Sequence, residues 1–169
     1  MLYRLRENGP VVLVPLAWTF ATAAHLDVLA LRTVLIAHLV MDAIIAAFTL
    51  FSWREMTDGV LLVWKRVLLA GLGITLVGTA GLLTDPSTTV LLTATVVGWM
   101  LVPAAGLVAT GRRVDRRPAV YTVGGTLSGL GAGAYVAGVS AAGSMLVLTG
   151  LTLANVGQTA GIVAAVYDY

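Results

Sequence analysis

Three features of the sequence predict an all-α polytopic membrane protein: one bundle of six transmembrane helices, with the N-terminus and the C-terminus both cytoplasmic. The 169 residues are 59% hydrophobic and only 11% charged, with a mean hydropathy of +0.95. A water-soluble domain of this length must show a far more mixed surface. Six apolar runs, at roughly 11–31, 34–53, 60–83, 90–110, 119–139 and 145–166, each approach the ~20 residues a helix needs to cross ~30 Å of hydrocarbon. Threaded with the N-terminus inside, they leave nine of the ten Lys and Arg residues on one side, as the positive-inside rule requires. The predicted domain is the whole chain, 1–169, and the expected location is the plasma membrane.

The first run follows Arg4 and Arg6. With Ala21-Thr22-Ala23 as a small-residue site it has the look of a signal peptide, but its apolar stretch continues to Leu31, so it reads as an uncleaved first helix. Arg32 stands in the outer turn before helix 2. Arg54, Lys65 and Arg66 belong to the cytoplasmic connection between helices 2 and 3, where Trp53 and Trp64 are expected at headgroup level. Asp85 falls in the next outer loop. Pro103, inside helix 4, leaves the carbonyl of Trp99 without its helical donor, and a kink is expected there. Arg112, Arg113, Arg116 and Arg117 form the next cytoplasmic loop and are expected to contact anionic lipids rather than nucleic acid. Tyr121, Tyr167 and Tyr169 mark other cytoplasmic helix ends. Residues 141–144, in the last outer loop, carry no charge.

Small residues suggest how the helices pack. Gly125, Gly129 and Gly133 recur at four-residue steps on helix 5 and are expected to form one ridge for another helix. Gly150, Ala154, Gly157 and Gly161 make a comparable stripe on helix 6, and Gly71, Thr75 and Gly78 one on helix 3. Any one of these three ridges also suits a homo-oligomer or docking into a larger membrane complex.

The chemistry-bearing residues cluster in helices 1 and 2. His25, Asp27, His38 and Asp42 are the ionisable groups at hydrocarbon depth, and the two His are the only ones in the chain. A tight turn near residues 31–33 would put both imidazoles at one depth, roughly 9 Å below the outer helix ends at ~1.5 Å per residue. Asp42 lies one turn deeper on the face of His38. Thr22 shares the face of His25, whereas Asp27 points about 200° away at ~100° per residue. A charge at the depth of Asp42 costs at least ~2.5 kcal/mol on insertion scales, so such groups usually face the bundle interior and mark a site. The expected site is a polar pocket of Thr22, His25, His38 and Asp42, open to the outside, with Asn155 and Gln158 of helix 6 reaching toward it or bonding other helices. Its expected use is transport of protons, cations or a small solute, since imidazole changes charge near neutral pH.

The alternative is a subunit or anchor of a respiratory-type complex, with His25 and His38 holding a b-type haem or facing quinone. His25, His38 and Asp42 also form a His₂-carboxylate set for a divalent metal. No cofactor is the first expectation, and no motif names an enzymatic reaction. Without Cys, thiolate metal sites and disulfides are excluded. Leu127-Ser128-Gly129 partly resembles the nucleophile motif of rhomboid intramembrane proteases, and His38 to Asp42 their His-x-x-x-Asn. Position 126 is Thr instead of that family's Gly, however, and helix 6 supplies Asn155 but no His base, so Ser128 has nothing to take its proton.

Overall fold

The computed structural model describes residues 2–84, 86 and 88–168, without the side chains of residues 2–8, 10 and 168. The placements expected for Arg4, Arg6, Asp85 and Tyr169 therefore lie outside the described residues and side chains. Six α-helices make up the described chain: α1 Leu2–His25, α2 Leu31–Ser52, α3 Gly59–Leu83, α4 Thr89–Gly111, α5 Pro118–Ser140 and α6 Ser144–Asp168. Four of them, α2, α3, α4 and α6, are long and apolar enough to cross a membrane, which makes this the bundle of an integral membrane protein. The apolar part of α1 is shorter, Val11–His25. Gly, Ser and Thr dilute α5, which sits between α4 and α6. A helix that faces protein on two sides need not be as greasy as one that faces lipid.

Side-chain exposure has the pattern of a lipid-facing surface. On α2 only Ile45, Thr49 and Ser52 are buried, while Leu50 and Phe51 are 73% and 86% exposed. Apolar patches of that extent are a liability in water and ordinary in a bilayer.

α1 ends at His25, six residues before the apolar run stops, for a local reason. Val28 N–H bonds the Ala23 carbonyl at 3.1 Å and Asp27 N–H the Ala24 carbonyl at 3.2 Å, the paired bonds of a Schellman stop. Asp27 takes the left-handed position of that stop, with φ 56°, a conformation Asp tolerates better than most residues. Asp27 is thus an exposed turn residue. The chain reverses over residues 26–30, and α2 begins at Leu31.

The two helices then part. α1 packs against α6 and α2 against α3, while α3, α4, α5 and α6 pack in sequence, so α1 and α2 do not form a packed hairpin. Trp18 carries α1 into the main core among Met100, Ala132, Tyr135, Leu151 and Ala154.

Glycine makes the α5–α6 contact. A Cβ on Gly124 or Gly157 would strike the other's carbonyl oxygen, and a Cβ on Gly131 would come within 2.6 Å of the Gly150 carbonyl oxygen. At Gly138 it would meet the Gly143 carbonyl oxygen at 3.0 Å. These pairs run antiparallel at seven-residue steps, the period that keeps two helices in register along a left-handed crossing. The ridge expected on α5 therefore needs correction. Gly129 and Gly133 have open space where a Cβ would be, and Gly125 lies against α4, with Ala104 O 2.6 Å from its Cβ position. A four-residue step drifts around a helix, and the seven-residue set Gly124, Gly131 and Gly138 wins because it stays on the α6 face. On α6, Gly150 and Gly157 face α5, and Gly161 accommodates Leu107 of α4.

Candidate functional site

Among the described residues two polar clusters lie inside the bundle, and the residues expected to share one pocket are divided between them and the helix surfaces.

The first cluster joins four helices. Gln158 is 3% exposed and Ser128 fully buried. Trp18 Nε1–H of α1 donates to Gln158 Oε1 at 3.1 Å. The two amide protons of Gln158 go to the Trp99 carbonyl of α4 and to Ser128 Oγ of α5, each at 2.9 Å. Ser128 in turn donates to the Met100 carbonyl at 2.8 Å. The Trp99 carbonyl is the one Pro103 deprives of its helical donor; α4 nevertheless continues through Pro103 as one helix. Gln158 thus supplies from α6 the hydrogen bond that α4 lacks, and its carboxamide has no donor left for a ligand. Ser128, locked between a carbonyl and an amide, is a packing residue.

His25 and Tyr135 form a smaller contact nearby. His25 Nδ1 lies 2.8 Å from the Ala21 carbonyl, and its Nε2 2.8 Å from the Tyr135 hydroxyl. A carbonyl can only accept, so Nδ1 carries the proton; in the neutral ring Nε2 is then the acceptor and Tyr135 donates to it. The rings meet edge to face at 5.4 Å. His25, exposed at the end of α1, is held to α5.

The second cluster lies between α2 and α3. Thr79 Oγ1 donates to Asp42 Oδ2 at 2.8 Å, whereas Asp42 Oδ1 is buried with no hydrogen-bond partner. One turn away, His38 Nδ1 bonds the Val34 carbonyl at 3.1 Å, which leaves Nε2 as a lone-pair acceptor in the neutral ring. That atom points at Gly78: a Cβ there would be 3.0 Å from His38 Nε2 and 2.9 Å from Thr95 Oγ1 of α4. Only glycine lets the imidazole and the threonine hydroxyl converge at this point. Thr95 spends its proton on the Leu91 and Ile74 carbonyls, at 2.9 and 3.2 Å, so it too presents lone pairs. His38 Nε2 and Thr95 Oγ1 converge at Gly78, and Asp42 Oδ1 stands one turn further along α2 without a donor; sequence spacing does not reveal this because Gly78, Thr79 and Thr95 carry no titratable signal.

The remaining expected site residues are engaged elsewhere. Thr22 donates to its own helix at the Trp18 carbonyl, 2.9 Å away, and Asn155 Oδ1 accepts from Thr159 at 3.1 Å on α6. The two imidazoles are turned to different helices, His25 to α5 and His38 to α3. One Nε2 meets Tyr135 and the other faces Gly78, an arrangement that does not present both to one haem iron. His25, His38 and Asp42 are likewise not gathered as ligands: no group of three or more His, Cys, Asp or Glu side chains suited to a metal ion occurs among the described residues.

Indole nitrogens tie further helices together. Trp99 Nε1 donates to Thr75 Oγ1 of α3 at 3.1 Å, with its ring over Gly71, and Trp64 Nε1 donates to Thr110 Oγ1 of α4 at 3.1 Å. Trp64 therefore turns inward. Trp53 stays half-exposed, with Lys65 Nζ 3.6 Å above its ring, a cation–π contact suited to the headgroup zone.

Among the described residues, fold and site together define an all-helical integral membrane protein with an acceptor-rich polar region between α2, α3 and α4. No family model, curated protein or solved structure matches the chain.

Proposed function

We propose that the protein is a small six-span permease of the plasma membrane that binds a proton or a monovalent cation at His38 and Asp42, with both termini cytoplasmic. The observation that carries this reading is Asp42 Oδ1, a buried carboxylate oxygen without a donor, one helical turn from an imidazole whose Nε2 faces Gly78. An ionisable group in a membrane helix is costly and marks a pathway by default. A proton on Oδ1 or Nε2, or a cation held by oxygen and nitrogen lone pairs, supplies the positive charge the cluster lacks. Thr79 holds the carboxylate in place through Oδ2, and Thr95 adds an acceptor from α4. The six-span orientation is supported by the positive-inside rule, since it would place nine of the ten Lys and Arg residues on the cytoplasmic side. Purified protein in liposomes should dissipate an imposed pH or cation gradient, and Asp42→Asn should abolish that flux while the protein remains folded. Equal flux in the variant and in wild type would remove Asp42 from the pathway.

A second reading, a subunit of a larger membrane assembly, is favoured by one observation: α2 buries only three residues in this bundle and leaves Ile36, Leu39, Val40 and Ile44 exposed. It predicts a partner that co-purifies in mild detergent, and no flux from the isolated chain.

A further inference from the structure

We infer that the groove between α4 and α5 is a binding site for one anionic phospholipid, with an acyl chain along the groove and the phosphate at Arg112 and Arg113. The groove has a volume of about 550 Å³, and Leu101, Ala104, Ala105 and Val108 of α4 line it, with Gly125 from α5. Its walls are low because its residues are small. Gly125 brings the α5 backbone against Ala104 and Val108, and one turn further along α5 Gly129 presents no side chain and has open space beside it. Leu101 and Ala105 are exposed to the surroundings of the bundle, so the groove opens sideways onto lipid rather than into the protein.

Two independent features select the occupant. The first is length: from Leu101 to Arg112 the helix rises about 16 Å at ~1.5 Å per residue, which matches one leaflet, half of a ~30 Å hydrocarbon core. A transmembrane helix from a second copy would need a groove running the full thickness. The second is charge. Both arginines at the end of the groove are exposed, and Arg113 Nη1 donates to the Ala109 carbonyl at 2.8 Å. That bond folds the guanidinium back over the groove mouth and leaves its other N–H groups for a phosphate. A neutral or zwitterionic lipid would not answer two adjacent positive charges.

The test is native mass spectrometry of the whole detergent-solubilised protein with phosphatidylglycerol or phosphatidylcholine of identical chains. One phosphatidylglycerol should be retained about 30-fold more strongly than phosphatidylcholine. Arg112→Gln with Arg113→Gln should remove that preference, and Ala105→Phe, which fills the groove while keeping both charges, should reduce phosphatidylglycerol retention about tenfold. Unchanged α-helical circular dichroism confirms that each variant is folded. Glycerol 3-phosphate, a headgroup without chains, should fail to displace the lipid. Displacement by it, equal retention of the two lipids, or a lipid-sensitive dimer that is lost in Ala105→Phe would each overturn the assignment, the last in favour of a second copy in the groove.

Discussion

Replacing Gln158 with Leu is expected to remove more stability than any other single polar change in the bundle. The carboxamide makes three interhelical hydrogen bonds, to Trp18, Trp99 and Ser128. Such bonds in membrane proteins average ~0.6 kcal/mol and reach ~1.7, so their loss amounts to roughly 2–5 kcal/mol. The upper part of that range applies if the Trp18 N–H is left buried and unpaired. The mechanism has a sharper signature than its size. Pro103→Ala restores an N–H for the Trp99 carbonyl, so one of the three bonds becomes redundant, and Gln158→Leu should cost at least ~0.6 kcal/mol less in that background than in wild type. Reversible unfolding in mixed micelles of increasing denaturing detergent would measure all four corners of the cycle. Additive losses would refute the claim that Gln158 substitutes for the donor Pro103 lacks.

Other expectations separate the contact-making glycines from the idle ones. Gly157→Ala and Gly124→Ala, which drive a methyl into a facing carbonyl, should cost about 1–3 kcal/mol, whereas Gly129→Ala and Gly133→Ala, with open space around them, should be neutral or stabilising by up to ~1 kcal/mol, in the same unfolding assay. Ala142, exposed before α6 with φ 52°, should gain about 1 kcal/mol on substitution by Gly, which adopts the left-handed region freely. An absorption spectrum of the purified protein, oxidised and then dithionite-reduced, should show no haem bands, since the two imidazoles face different helices; a Soret band lost in His25→Ala or His38→Ala would contradict that geometry.

Apolar run length made most of the fold legible. The five helices α2 to α6 fall within three residues of the runs, because each run is bounded by charges, Pro or turn residues. Hydropathy misplaces the end of α1: it reads Leu26, Val28 and Leu29 as membrane, while the Schellman bonds at Asp27 stop the helix. The same hydropathy sets His25 opposite His38 across a turn at residues 31–33, whereas the two rings turn to different helices, α5 and α3. Pairing of helices was illegible for a different reason. A short loop implies a hairpin only when the two helices present matching faces, and Trp18 finds its matching surface on α4, α5 and α6. Asp42 stood out because carboxylates are rare in apolar helices, but its partner Thr79 and the cleft at Gly78 have no signature in a single sequence. Pro103 is the reverse case: the orphaned Trp99 carbonyl follows from covalent chemistry, while its donor, Gln158 of α6, is visible only once the helices are packed.

Infrared difference spectroscopy between acidic and neutral buffer in lipid reads directly whether Asp42 is a protonatable or cation-binding group at the α2–α3 interface. A protonated-carboxyl band is expected that disappears in Asp42→Asn, persists in His25→Ala, and shifts in Thr79→Ala, which loses the hydrogen bond to Oδ2. A difference spectrum unchanged by Asp42→Asn would contradict it.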